Sequence, residues 1–275
     1  MKQRLADYVA DFLAAHGVTD VFSVVGGGAM HLNDALGHHP ALHVTYNHHE
    51  QASAIAAEAY ARIDNKIAAL CVTTGPGGTN ALTGVVGGWL DSIPMFVISG
   101  QVRYDTTARY AAQFTDGLPL RAVGDQEYDI TKSVAPMTKY ATMLEDPNQI
   151  RYVLEKAWHL AATGRPGPVV VDLTKTAQTG DMYYSWPQRM ILPGYNPTTK
   201  AHGRVLSDAA KLFSQSYRPV LYVGGGAARS NAGAQVKALA DLTGAPVVTT
   251  LPARGIIPDS DPKNLGMLGM HGTIA

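Results

Sequence analysis

The chain has 275 residues, which is enough for one large domain or two moderate ones. Hydrophobic residues make up 46% and charged residues 16%, so a sizeable core can form. The formal net charge is zero and the basic residues are scattered, so we expect no nucleic-acid or acidic-membrane partner. One cysteine excludes a disulfide framework, and without a signal peptide or an apolar run of membrane-spanning length we expect a cytoplasmic protein that binds no membrane.

Helical and strand patterns alternate over the first 174 residues. Leu5, Val9, Phe12 and Leu13 recur at helical spacing, and Gly17 follows as a C-terminal cap. The predicted strands are the runs DVFSVV, ALHVTYN, KIAALCVTTG, IPMFVISG and GPVVVDL. Between them lie the helical stretches GGGAMHLNDAL, EQASAIAAEAYAR, TNALTGVVGGWLDS and EDPNQIRYVLEKAWHLAATG. Continuous apolar strands separated by helices predict an α/β fold, with a parallel sheet covered by helices on both faces.

A second α/β pattern follows a stretch without periodicity. Residues 176–203 are rich in Pro, Gly and polar side chains, so we predict a linker between one domain at 1–175 and another at 204–275. The later domain contains the helices RVLSDAAKLFSQ and NAGAQVKALADLTG and the strands PVLYVGGG and APVVTT. Because the pattern stops without a closing helix, we expect this domain to be truncated.

Three glycine-rich turns, at residues 26–31, 75–80 and 224–229, come directly after predicted strands. None completes a dinucleotide-binding or P-loop motif. Glycine lets the chain turn tightly there, and in open α/β sheets the carboxyl ends of the strands are also where ligands bind. The turns therefore predict a ligand-binding edge without naming the ligand. The histidines at 38–49 do not form a recognised metal motif, and no nucleophile-elbow serine motif occurs.

The stretch NHHEQASAIAAEAYAR places Glu50 where the chain leaves a predicted strand and enters an alanine-rich helix. A carboxylate in an apolar setting can share or donate a proton near neutral pH. An acid in the first turn also interacts favourably with the helix dipole. These two interpretations are compatible, and neither identifies the reaction.

Taken together, the motifs resemble one family. GVTDVFSVVGGGAMHLNDAL, HHEQASAIAAEAYAR, VTTGPGGTNALTGVVGGWLDSIPMFVISGQV, DQEYD, ATGRPGPVVVDL, VGGGA and LGMLGMHGT occur in the family's order. The chain resembles the N-terminal portion of a thiamine diphosphate-dependent enzyme of the acetohydroxyacid synthase (acetolactate synthase) large-subunit group. The resemblance implies a pyrimidine-binding domain followed by part of a middle domain, and a decarboxylase and carboligase that acts on a 2-oxoacid such as pyruvate.

The resemblance implies roles for individual residues. Glu50 would hydrogen-bond N1′ of the cofactor's aminopyrimidine and so assist proton removal from thiazolium C2. Gly26 would lie in the turn under the pyrimidine, and Pro76 and Asn80 would contact the ring. Gln126 would reach the substrate-derived adduct. The segments that hold FAD, a structural flavin in these synthases, would include Arg165, Gly225, Thr250, Leu251, Leu268, Gly269, Met270 and His271.

Other implied features involve parts of the enzyme that this chain does not match. The family binds the cofactor's diphosphate through Mg²⁺ with a "GDG…N" motif in a third, C-terminal domain, and no GDG occurs here. We therefore expect no metal ligand within this chain, and a fragment that is inactive alone. The resemblance also implies a homodimer or homotetramer, because different subunits hold the two ends of one cofactor.

Two alternatives to a plain synthase stay open. The synthases have an aromatic residue where this chain has Asp125, and the preceding segment also differs. A related carboligase with a sugar or aldehyde acceptor is one alternative, and another 2-oxoacid decarboxylase belongs with it. A non-catalytic α/β binding or assembly module is the other, although such a module has little need for Glu50.

Overall fold

The structure, a computed structural model, describes residues 2–183, 190 and 192–273. It divides into two compact units, residues 1–197 and 198–275. The division falls inside the segment 176–203 that the sequence predicts as a linker. Residues 184–189 and 191 of that segment, and residues 274 and 275 of the predicted second domain, lie outside the described residues.

Unit 1 is an α/β domain. Its strands are β1 Lys2–Arg4, β2 Asp20–Ser23, β3 His43–Tyr46, β4 Ala68–Val72, β5 Met95–Gln101, β6 Tyr140–Leu144, β7 Val169–Thr174 and β8 Asp181–Tyr183. Its helices are α1 Leu5–Ala15, α2 Met30–His38, α3 Glu50–Asp64, α4 Pro76–Asn80, α5 Leu82–Leu90, α6 Ala108–Ala111, α7 Ile130–Val134, α8 Ile150–Ala162 and α9 Lys175–Thr179.

Six of these strands form one parallel sheet in the order β3-β2-β4-β5-β7-β6. Successive residues of a strand point to opposite faces, and β4 shows this directly. Ala69 and Cys71 pack into one hydrophobic core with α1, α2 and α8, whereas Leu70 and Val72 pack into a second core with α3 and α5. The predicted α/β fold, with a parallel sheet covered on both faces, is confirmed.

Several elements differ from the sequence-based prediction. The unpredicted strand β6 is only partly buried, so it lacks the continuous apolar run of a central strand. The predicted helix after the turn at Gly75 is divided into α4 and α5, which meet at Ala81. The predicted linker begins with α9 and β8, and β8 pairs antiparallel with the polar strand β1.

Unit 2 is smaller and also α/β. Its strands are β9 Leu221–Val223, β10 Val247–Thr249 and β11 Asn264–Met267, and its helices are α10 Gly203–Gln215, α11 Gly225–Arg229 and α12 Gly233–Thr243. The strands form a parallel sheet in the order β11-β10-β9 around a core that includes Val223, Ala240 and Val247. Strand β11 has no counterpart in the prediction, since Gly266 interrupts its short apolar pattern.

Candidate functional site

The candidate residues of unit 1 lie in segments that follow neighbouring parallel strands. Gly26 follows β2, Glu50 follows β3, Pro76 and Asn80 follow β4, and Gln126 lies in the segment after β5. These segments therefore meet at the carboxyl edge of the sheet, where open α/β folds bind ligands. The sequence pattern predicts this edge, and the fold supplies the order in which the segments sit along it.

Glu50 is the first residue of α3, and its side chain is 9% exposed. The preceding His49 caps the helix, because its ring Nδ1 accepts a hydrogen bond of 3.1 Å from the backbone N–H of Gln51. The Asn80 amide donates to Glu50 Oε2 at 2.9 Å. No hydrogen-bond donor among the described residues reaches the other carboxylate oxygen, Oε1. The carboxylate is thus held on one side and left with one oxygen for a further partner.

Thr73 joins the turn after β2 to the turn after β4. Its Oγ1 accepts a hydrogen bond of 2.9 Å from the backbone N–H of Gly28. A Cβ added at Gly26 would lie 2.4 Å from Thr73 Cγ2, and one added at Gly77 would lie 2.7 Å from the same atom and 3.5 Å from Glu50 Oε1. Glycine at these positions therefore lets both turns close around Thr73 and beside the Glu50 carboxylate.

The segment that carries Gln126 lies directly on the glycine-rich turn after β4. Gly75 has φ +60°, and a Cβ there would lie 2.4 Å from the carbonyl oxygen of Gln126. Gln126 has φ +57°, an uncommon left-handed conformation for a residue with a side chain. The side chains of Gln126 and its neighbour Asp125 are exposed in this chain. Pro76, in the same turn, is also exposed.

A buried polar network lies beneath this edge, and the sequence analysis did not single it out. Gln101, at the end of β5, hydrogen-bonds Thr74 Oγ1 at 2.5 Å and Asp172 Oδ2 at 3.0 Å, and both Gln101 and Asp172 are fully buried. Burial raises the pKa of the Asp172 carboxyl to about 7, and the hydrogen bond from Gln101 opposes that rise. A polar residue inside VVVDL or VISGQ is the signal that could have identified the network.

In unit 2, the candidate residues also gather at one edge. Gly225 follows β9, Thr250 and Leu251 follow β10, and the loop from Leu268 to His271 follows β11. The Thr250 N–H donates to Val223 O at 2.9 Å, and the Leu268 N–H donates to Thr249 O at 3.0 Å. Thr250 Oγ1 is buried and has no hydrogen-bond partner in the described part of the chain. This hydroxyl has hydrogen-bonding capacity that the described residues do not use.

Arg165, the remaining candidate, belongs to unit 1. Its guanidinium Nε donates to Ser92 Oγ at 2.6 Å, and its Nη2 lies 3.4 Å from Leu90 O. The described residues contain no group of three or more His, Cys, Asp or Glu side chains that could hold a metal ion. None of the described helices is both long enough and apolar enough to span a bilayer.

Comparison with known proteins matches both units. Residues 3–120 match the family described as thiamine pyrophosphate enzyme, N-terminal TPP binding domain. Residues 206–275 match the thiamine pyrophosphate enzyme, central domain. The chain belongs to the thiamine pyrophosphate enzyme family. Thiamine pyrophosphate is another name for thiamine diphosphate, so the predicted family is confirmed.

Acetolactate synthases are among the curated relatives of this chain. It is 43% identical to an acetolactate synthase large subunit of Mycobacterium tuberculosis over 94% of this chain. It is 38% identical to a chloroplastic acetolactate synthase of Zea mays and 36% identical to a probable acetolactate synthase large subunit of Methanocaldococcus jannaschii, each over 98% of this chain. The chain spans 40%, 40% and 44% of these three proteins, less than half of each.

Proposed function

We propose that this chain forms the pyrimidine-binding portion of a thiamine diphosphate-dependent 2-oxoacid decarboxylase and carboligase of the acetolactate synthase type. The observation that carries the proposal is the Glu50 carboxylate, which is nearly buried, held at Oε2 by Asn80 and without a partner at Oε1 among the described residues. The match of this unit to a TPP binding domain supports it. The names of the relatives support pyruvate as the 2-oxoacid.

The residues of this edge fit the pyrimidine end of the cofactor. Thiamine diphosphate, when bound, supplies the nucleophilic carbon and the electron sink for decarboxylation. Glu50 Oε1 would hold a proton at N1′ of the aminopyrimidine, while Asn80 keeps the carboxylate in one orientation. Gly26 and Pro76 would lie beside the ring, and Gln126 would offer an amide that can both donate to and accept from the substrate.

The described residues do not provide a site for the metal that accompanies the diphosphate. Mg²⁺ prefers several oxygen ligands in octahedral geometry, and the described residues contain no acidic cluster that could provide them. We therefore assign no step to Mg²⁺ within this chain. We propose that the metal and the diphosphate are held by a part of the full-length enzyme outside these 275 residues, in a cytoplasmic homodimer or homotetramer.

We also propose that unit 2 holds FAD. The unpartnered Thr250 Oγ1 is the observation that fits a bound polar group, since a buried hydroxyl without a hydrogen bond is costly. Gly225, Leu251 and the loop Leu268–His271 follow the strands at the same edge and would contact the flavin. Its role would be structural, so no catalytic step depends on it.

Asp125 favours a second candidate function within the same reaction class. A carboxylate beside Gln126 would repel the carboxylate of a 2-oxoacid acceptor and favour a neutral aldehyde or sugar-like acceptor. Its exposure in this chain also fits a plain loop residue without any effect on the acceptor. Acceptor preference in the full-length enzyme separates these two possibilities.

The proposed role of Glu50 is tested by Glu50→Gln in the full-length enzyme. General acid–base groups contribute about 100-fold or more, so hydrogen–deuterium exchange at cofactor C2 should slow by about that factor. The matched control is Glu58→Gln on the same helix, where the carboxylate pairs with Arg62 instead of facing the site. An exchange rate in Glu50→Gln equal to that of the control would refute the role of Glu50.

A further inference from the structure

Gln101 ends an otherwise apolar strand, and its side chain is fully buried. Its neighbour across the sheet is β7, where the equally buried Asp172 interrupts a run of aliphatic residues. A buried amide or carboxyl is costly unless its hydrogen bonds are made. The bonds that these two groups make therefore indicate why polar side chains occupy these positions.

The Gln101 amide uses its full hydrogen-bonding capacity. Oε1 accepts from Thr74 Oγ1 at 2.5 Å and from the backbone N–H of Val102 at 3.0 Å. Nε2 donates to the carbonyl oxygen of Tyr128 at 2.8 Å and to Asp172 Oδ2 at 3.0 Å. An amide has two lone pairs on oxygen and two hydrogens on nitrogen, and all four are engaged.

The partners leave the amide a single orientation. If the side chain were turned over, Oε1 would face two acceptors, the Tyr128 carbonyl and the Asp172 carboxyl oxygen. Nε2 would then face the donor N–H of Val102. Asp172 thus helps to keep Nε2 directed at Tyr128 and Oε1 directed at Thr74. Burial raises the pKa of Asp172 to about 7, and its Oδ2 accepts the hydrogen bond from Nε2.

These bonds connect two segments of the candidate site. Thr74 immediately precedes the turn that contains Gly75 and Asn80, and Tyr128 lies two residues after Gln126. The two segments touch where the Gln126 carbonyl lies against Gly75, at a distance that a side chain would not permit. Gln101 lies beneath this contact. Its amide oxygen binds the Thr74 segment, and its amide nitrogen binds the Tyr128 segment.

We propose that Gln101 is a positioning residue, oriented by Asp172, that holds the Gln126 segment against the turn carrying Asn80. This proposal rests on the proposed function, because it assumes that Gln126 meets the substrate while Glu50 and Asn80 meet the cofactor. Loss of the Gln101 amide then displaces Gln126 and leaves the Glu50–Asn80 hydrogen bond in place.

The test uses Gln101→Met in the full-length enzyme, since methionine has a similar shape and lacks the four hydrogen bonds. A misplacement of roughly 1 Å can cost about 100-fold, so kcat/KM for pyruvate should decrease by about 10- to 100-fold. Hydrogen–deuterium exchange at cofactor C2, which depends on Glu50, should stay at the wild-type rate. That rate also shows that the variant is folded and binds the cofactor. Asp172→Leu removes one of the two acceptors of Nε2 and should give the same pattern with a smaller loss.

A double-mutant cycle separates positioning from a general structural role. If Gln101 acts through the Gln126 segment, Gln101→Met/Gln126→Ala should be within about twofold of Gln126→Ala alone. The matched control is Ile98→Val, at a fully buried aliphatic residue of the same strand, and it should keep wild-type kcat/KM.

Two results would overturn the proposal. One is multiplicative losses in the cycle, and the other is a C2 exchange rate that decreases in parallel with kcat/KM in Gln101→Met. Failure of the proposed function is recognised separately, since Glu50→Gln would then leave C2 exchange unchanged whatever Gln101→Met does.

Discussion

The packing of α5 against α3 makes Gly84 the position where one methyl group should matter most. A Cβ added there would lie 2.5 Å from Ala54 Cβ, 2.6 Å from the Ala54 carbonyl carbon and 2.8 Å from the backbone nitrogen of Ile55. Carbon atoms in contact are about 3.5 to 4.0 Å apart, so Gly84→Ala requires the helices to separate by roughly 1 Å. Since these neighbours are backbone atoms and a Cβ, no change of rotamer can relieve the overlap.

The expected loss follows from two opposing effects. Overpacking costs about 1 to 3 kcal/mol, while replacing glycine with alanine in a helix returns about 1 kcal/mol. Gly84→Ala should therefore lower the free energy of unfolding by up to about 2 kcal/mol. Because α3 begins at Glu50, the same displacement should also disturb the Glu50–Asn80 hydrogen bond.

Urea unfolding followed by tryptophan fluorescence measures this loss in the 275-residue chain. All three tryptophans lie before residue 198, so the signal follows unit 1. The matched control is Gly87→Ala on the same helix, where an added Cβ would lie 3.4 Å from the carboxylate oxygens of the flexible Glu58 side chain. The control should gain up to about 1 kcal/mol from helix propensity. Equal shifts for the two variants would refute the packing argument.

Four further predictions concern charge and cofactors. Burial raises the pKa of Asp172 from 3.8 to about 7. The contribution of the protonated Asp172 carboxyl to stability is therefore complete below pH 3.8 and is lost as the pH rises through about 7. Between about pH 4.5 and pH 8 the loss amounts to about 3 kcal/mol of the free energy of unfolding. Urea unfolding of Asp172→Asn should not show this pH dependence. Parallel pH profiles for the variant and the wild type would contradict the prediction. Full-length protein should purify yellow, with less flavin absorbance in Thr250→Val, and a spectrum without flavin bands even after soaking with FAD would exclude the flavin site. Asp125→Phe should shift the kcat/KM ratio from an aldehyde acceptor towards pyruvate, and an unchanged ratio would leave Asp125 as a loop residue. Calorimetry of the 275-residue chain with Mg²⁺ and thiamine diphosphate should detect no tight binding, and a micromolar affinity would mean that the diphosphate site lies within the chain.

Strong local patterns account for what the sequence predicted correctly. The central strands of unit 1 are fully buried, so their apolar runs are continuous and their type is unambiguous. Strand β6 at the sheet's edge is only partly buried, and its pattern resembles a loop. Helix α9 buries Ala177 and Gln178 within only five residues, which is too short for a helical period to be recognised.

The candidate site also contains residues that motifs could identify and residues that only the structure brings together. Glu50 and Asn80 could be selected from motifs, and the structure brings their side chains within hydrogen-bonding distance. Gln101 and Asp172 could not be paired from sequence, because they are 71 positions apart and only the pairing of β5 with β7, in which Ser99 is the register partner of Asp172, brings them within reach of each other. Local patterns report which face of an element is buried, whereas a polar contact across a sheet depends on strand order, which no local pattern contains.

The strand order of unit 1 has a consequence during synthesis on the ribosome. Strand β7 lies between β5 and β6 in the sheet, although both precede it in the chain. In the described sheet, β7 is the strand neighbour of β6, so the β6 segment leaves the exit tunnel before its pairing partner. A nascent chain that ends before Val169 therefore presents an unpaired edge on β5 and an unpaired β6, and such edges promote association with other chains. When the six residues Val169–Thr174 emerge, they pair with both β5 and β6. The speed of translation through this short segment therefore sets how long the unfinished domain can associate with other chains.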